Sequence, residues 1–122
     1  MVKKKSSKFR SKFEERLSKY LEYLGFKYEP IKIDYTVPES KHKYTPDFVR
    51  GNLIYELKGR WTASDRKKMK LLVEQHPEWH IVMCFQNSRI KINKNSKTTY
   101  ADWCNKNNID WIDHKDLLNN GN

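Results

Sequence analysis

The sequence predicts an α/β fold, a mixed β-sheet flanked by helices. Two observations carry this. Apolar residues recur at helical spacing in some segments and at period two in others, in the order helix, three strands, helix, strand, helix, strand. The chain also has a fitting size: 122 residues make one domain with a real but small core, and no internal repeat or low-complexity segment interrupts it. Residues 1–8 read as a flexible basic tail and residues 9–122 as a single domain.

The first helix opens at Ser11, whose spacing to Glu14 is that of a capping box. Phe13, Leu17, Tyr20, Leu21 and Leu24 form its apolar stripe, and Gly25 ends it. On a wheel of about 100° per residue, Glu14 lies roughly 75° from the centre of that stripe, at the edge of the core, whereas Glu15 and Glu22 face water. Residues 26–37 read as one long extended segment, broken in phase at Pro30, with Ile31, Ile33, Tyr35 and Val37 alternating with polar residues. Residues 38–43 read as a polar connector.

A hairpin follows. Asp47 opens its first strand, Arg50-Gly51-Asn52 makes the turn, and residues 52–58 return. The second helix starts at Thr62-Ala63-Ser64-Asp65, turns Met69, Leu72 and Val73 inward, and stops at His76-Pro77. Residues 79–85 form an apolar strand near the centre of the sheet, and residues 86–97 a polar loop. Thr98 or Thr99 caps a third helix holding Tyr100, Trp103 and Cys104, and residues 109–112 form the last strand.

Charge narrows the partner. Lys plus Arg number 25 against 15 Asp plus Glu, a formal charge of +10 at pH 7, which favours a polyanion. No long apolar run or strongly basic amphipathic helix supports a membrane. No apolar segment follows the basic residues 1–8, so no signal peptide is read and a cytoplasmic location is expected. Cys84 and Cys104 lie in apolar contexts with no CxxC or His/Cys cluster, so buried free thiols are expected. His76, His80 and His114 have no metal-site spacing. The four tryptophans suit the core, with Trp61, beside Gly59-Arg60, the one placed to stack on a base.

The chemistry sits in the hairpin. Side chains alternate along a strand, so Leu53, Tyr55 and Leu57 share one face and Ile54, Glu56 and Lys58 the other. Asp47 and Glu56 thus stand on adjacent strands with Lys58 beside them. Two hard oxygen ligands can hold a divalent ion against a phosphate, with the Leu57 carbonyl as a further ligand and the lysine orienting water or stabilising the pentacoordinate phosphate. Glu14 is the carboxylate of the first helix able to reach inward and complete the ligand set. The plain alternative is a surface ion pair between Glu56 and Lys58, with Glu14 only a cap. Arg66, Lys67, Lys68 and Lys70 oppose the macrodipole at the start of the second helix, which fits either a nearby phosphate backbone or a solvated face. Arg10, His42, Arg60, Arg89 and Lys91 complete the candidate DNA contacts.

Pro46-Asp47 and Glu56-Leu57-Lys58, after a helix with a glutamate, resemble the PD-(D/E)xK nuclease superfamily. More narrowly, the chain resembles the endonuclease I family of T-odd bacteriophages, which are Holliday-junction resolvases. The residues that carry this run collinearly: Phe9-Arg10-Ser11 with Glu14, Val37-Pro38 with Ser40 and His42, Tyr44-Thr45-Pro46-Asp47-Phe48, Glu56, Lys58-Gly59 and Trp61. They continue through Asp65-Arg66-Lys67-Lys68, Glu74-Gln75-His76-Pro77-Glu78, Ser88-Arg89 and Cys104.

The resemblance implies a restriction-endonuclease-like core and Mg²⁺-dependent cleavage of branched DNA, with Mn²⁺ able to substitute. Glu14, Asp47, Glu56 and Lys58 become the catalytic set. It also implies an intertwined homodimer bridged by residues 35–42, each site taking Glu14 from one chain and the other three residues from its partner. Two departures stand: the turn between Asp47 and Glu56 is one residue shorter than the family's, and a basic C-terminal extension is missing before Asn122. The competing readings are a free-standing homing or nicking endonuclease acting on duplex DNA, and a DNA-binding architectural protein without catalysis. The intact acidic-plus-lysine set argues against the last.

Overall fold

The computed structural model describes residues 11–37 and 40–120. Its first helix, α1 (Lys12–Tyr23), begins where Ser11 Oγ accepts the Glu14 N–H at 3.2 Å. It ends at Leu24, followed by Gly25 at φ +92°, a left-handed conformation that glycine adopts without strain. Five strands then follow: β1 (Lys27–Tyr28), β2 (Ile33–Val37), β3 (Ser40–Tyr44), β4 (Phe48–Arg50) and β5 (Leu53–Lys58). Helix α2 (Ala63–Gln75) leads to β6 (His80–Phe85), α3 (Tyr100–Lys106), β7 (Asp110–Asp113) and α4 (His114–Asn120).

The main sheet has the order β1-β4-β5-β6-β7. The β1–β4 and β4–β5 pairs are antiparallel, and β5–β6 and β6–β7 are parallel. This is the α/β fold with a mixed sheet that the alternating periodicities predict. The pleat of β5 divides the core. Ile54 joins Met69 and Leu72 of α2 and Cys104 of α3 on one face, while Leu57 joins Phe13, Leu17 and Leu21 of α1 and Leu117 of α4 on the other. Helices therefore cover both faces, as the parallel half of a sheet requires.

Capping chemistry sets the starts of α2 and α3. Thr62 and Asp65 form a reciprocal capping box, and so do Thr99 and Asp102. Thr99, rather than Thr98, is thus the cap of α3. His76 closes α2. Cys84 and Cys104 are buried free thiols, and burial pushes both up to about 12.

Four expectations are corrected. Residues 26–37 do not form one extended segment: Glu29 takes φ +45°, Pro30 follows, and the chain leaves the main sheet after β1. Residues 38–43 are not all connector, because Ser40–Tyr44 is a strand paired with β2 in a separate two-stranded sheet. Its first four residues are exposed on both faces, so no alternation marks it. Asp47 precedes its strand rather than opening it. Helix α4 continues the chain directly from β7. The strand predicted at residues 79–85 lies inside the sheet as β6, one place from the middle strand β5.

Candidate active site

The β4–β5 ladder ends at Phe48 opposite Tyr55, leaving the last residues of β5 beyond it. Asn52 and Lys58 turn their carbonyls toward β6, where the His80 and Gln86 N–H groups donate to them at 2.8 and 3.0 Å. Leu57, of opposite parity, presents its backbone to the β4 side. There its N–H donates to Asp47 Oδ2 at 2.9 Å, and its carbonyl points the same way, past the end of the ladder. Its side chain is anchored in the α1 layer, so Glu56 and Lys58 must face the opposite way.

Glu56 is buried, 6 % exposed. Its Oε1 accepts from the Tyr44 hydroxyl at 2.6 Å and from the Asp47 N–H at 3.2 Å. These bonds engage one oxygen of each carboxylate and leave Asp47 Oδ1 and Glu56 Oε2 outside the network. Both residues line a cleft of about 520 Å³, together with Glu14, Glu29, Lys58 and Lys68. Lys58 Nζ lies 3.9 Å from Asp65 Oδ1. A single chain thus gathers all four residues predicted to be catalytic.

Burial dominates the electrostatics. It pushes Asp47 up to about 6, opposed by the Leu57 N–H and the Lys58 charge, with Glu14 and Glu29 adding to the rise. Burial also pushes Glu56 up to about 8, helped by the negative charge of Asp47 and opposed by the Tyr44 hydroxyl and Lys58. The two carboxyls titrate as a pair, because ionising one opposes ionising the other. The Tyr44 phenol is held well above its ordinary value by burial and by Glu56, so it stays a donor. A divalent cation between the carboxylates would remove this repulsion.

Such a cation fits the donors. Among the described residues no three His, Cys, Asp or Glu side chains form a group able to hold a metal by themselves. Two carboxylates and a carbonyl suit an ion that keeps several of its waters, which is the habit of Mg²⁺. Glu14 stands on the cleft wall with them.

The family model for phage endonuclease I matches residues 1–118. Endodeoxyribonuclease 1 of Enterobacteria phage T3 is 49 % identical over 108 residues, covering 86 % of this chain and 71 % of that protein. Endonuclease I of Escherichia phage T7 is 46 % identical over 113 residues, covering 90 % of this chain and 76 % of that protein. The chain belongs to the phage endonuclease I family.

As a phage endonuclease I it presents most of the predicted DNA contacts at the surface. Arg60, Lys67, Arg89 and Lys91 are exposed, and Lys68 reaches the cleft with its ammonium 5.2 Å from the centre of the Tyr44 ring. Arg60 and Lys91 also line a neighbouring cavity of about 710 Å³ that shares Gly59, Arg60 and Gln86 with the cleft. His42 is exposed on β3, bonded through Nε2 to Ser40 Oγ at 2.9 Å and stacked on Tyr35, and it does not line the cleft. Arg10 lies outside the described residues.

One predicted DNA contact is corrected, and the base-stacking alternative for Trp61 is closed. Arg66 is buried, and its Nη1 donates to the Trp61 carbonyl at 2.9 Å, so its guanidinium ties down the chain before α2. Trp61 is 1 % exposed and packs edge-on against Tyr100 and Trp103, which leaves no face for a base. The sequence reading passed over Tyr44, Glu29 and Asp65 as site residues. Asp65 carried a signal as a helix-start residue and Tyr44 as the first residue of the Tyr44-Thr45-Pro46-Asp47-Phe48 run; Glu29 carried none. Among the described residues no helix is long and apolar enough to cross a membrane.

Proposed function

We propose that this phage endonuclease I is a Mg²⁺-dependent, structure-selective endonuclease that cleaves phosphodiester bonds in branched DNA such as four-way junctions, acting as a homodimer in the host cytoplasm. The observation that carries the chemistry is the buried Asp47–Glu56 pair, with one oxygen of each locked by hydrogen bonds and Lys58 lining the same cleft. Mg²⁺, when bound, supplies charge neutralisation at the phosphoryl oxygens and lowers the cost of deprotonating the attacking water. Asp47, Glu56 and the Leu57 carbonyl hold it. Lys58 places a positive charge on the phosphate or orients the water, and its distance to Asp65 restrains its swing. Glu14 orients water at the cleft wall. Mn²⁺ can take the same ligands, since both ions accept oxygen donors.

The branched substrate and the dimer rest on the resemblance to the endonuclease I family, and the +10 charge supports only a polyanionic partner. In the dimer, the hairpin opens at residues 35–42 and carries α1 across to the partner, where Glu14 meets the partner's copy of the same cleft. The test is cleavage with Mg²⁺ of a four-way junction and of a matched linear duplex. The expected outcome is paired cuts in the junction and little product from the duplex. Equal cutting of both supports the duplex nuclease instead, and binding without cutting in either metal removes catalysis from the proposal.

A further inference from the structure

Tyr44 is the last residue of β3 and is 1 % exposed. Its ring belongs to the α2-side core with Ile54, Trp61 and Met69. A phenylalanine would fill that space equally well. What the hydroxyl adds is a 2.6 Å hydrogen bond to Glu56 Oε1, the oxygen that also accepts the Asp47 N–H. A carboxylate held through one oxygen by two donors cannot rotate, and its other oxygen has a defined direction. The same ring carries the Lys68 ammonium over its face, 5.2 Å from the centroid. One side chain therefore touches a carboxylate of the cleft with its edge and a cleft cation with its face.

We infer that Tyr44 is a positioning residue that fixes the orientation of Glu56 for metal binding, with Lys68 seated against it. This rests on the functional reading above, in which Glu56 holds Mg²⁺. Partners of metal-ligating carboxylates act this way in general: their loss leaves the ligands present but misdirected, and typically lowers metal affinity by about 10- to 100-fold.

The test replaces only the hydroxyl, with Tyr44→Phe. Mg²⁺ is titrated into the DNA-free protein, following heat of binding and the metal-induced rise in unfolding temperature. The second readout measures affinity even where the variant's own unfolding temperature has dropped. The Mg²⁺ midpoint is expected to rise by about 10- to 100-fold, with binding of junction DNA in the absence of metal unchanged. In a Glu56→Gln background the same replacement is expected to change the residual Mg²⁺ response no further. An unchanged midpoint in the single variant overturns the inference. An equal drop in both backgrounds also overturns it, because Tyr44 would then act on the fold rather than through Glu56. A wild-type protein that neither binds Mg²⁺ nor cuts DNA removes the functional reading itself, an outcome distinct from either.

Discussion

The β4–β5 hairpin runs through the main sheet with helices on both faces, whereas the β2–β3 hairpin stands beside it as a sheet of two strands. The first turns a glutamate inward, where burial pushes it far above its ordinary range. The second is buried in the core only at its base, through the paired Ile33 and Tyr44; beyond that it turns Lys41, His42 and Lys43 to solvent and is fastened by side chains at its margin, where the Gln75 amide bonds both backbone groups of Thr36, at 2.6 and 2.7 Å, and His76 Nε2 contacts the Asp34 carbonyl. Rigid burial makes a carboxylate costly to ionise, and that cost is what a cation relieves. Marginal fastening makes a segment cheap to detach, and that is what exchange between chains requires.

The largest effect is expected from the buried hairpin. Asp47→Asn or Glu56→Gln should reduce cleavage by about a thousand-fold, roughly 4 kcal/mol of transition-state stabilisation, while gel-shift affinity for junction DNA stays near wild type. Cleavage close to wild type in either variant would remove that residue from the site. The exposed hairpin is tested by mixing. Glu14→Gln and Asp47→Asn proteins, unfolded and refolded together, should regain activity if segments exchange, because one site of the heterodimer then carries both lesions and the other neither. Heterodimers that stay inactive would mean that each site is built from one chain.

Next in size is a pH effect on the metal-free protein. Asp47 and Glu56 have raised folded values, so the native state binds more protons than the unfolded chain between about pH 4 and pH 8. Their contribution is fully present below their ordinary values and is lost as pH rises through about 6 and about 8. The unfolding temperature should therefore fall across that window. Glu56→Gln should flatten the fall and stabilise the protein at pH 8 by on the order of 1 kcal/mol, a shift of several degrees. A fall of equal depth in the variant would assign it to other groups. Gln75→Ala should weaken the marginal hairpin by about 1 kcal/mol, seen as faster amide exchange at Thr36 with little change in global stability. Smallest of all, Lys43→Ala should leave stability unresolved from wild type, because its 2.7 Å pair with Asp34 is exposed on both sides.

The same contrast explains what could be read from the chain. Elements with a buried face announce themselves: α1 through Phe13, Leu17 and Leu21, β5 through its alternation, and α2 through Thr62 and Asp65. Glu56 and Lys58 were legible because strand parity puts them on one face, and Asp47 because it stands one residue before β4, next to the end of the ladder. Strand β3 was not, because four exposed polar residues have no period. Helix α4 was not, because its seven residues give one buried leucine, Leu117, and it follows β7 with no residue between. Arg66 misleads by charge: a guanidinium can be buried where a carbonyl such as that of Trp61 accepts from it, and composition cannot reveal the acceptor. Tyr44 reads as a core residue, which it is, and only the folded register shows where its hydroxyl points.

Trp61 follows Lys58 by three residues, and its buried indole nitrogen has no hydrogen-bond partner. Its ring contacts Phe85 and Tyr100 within an aromatic group, while Trp79, Trp103 and Trp111 are only partly buried. An indole in such surroundings emits at shorter wavelength than a hydrated one. The protein thus carries an optical label three residues beyond the end of β5, whose blue-shifted share of the emission depends on the packing around Trp61 staying closed.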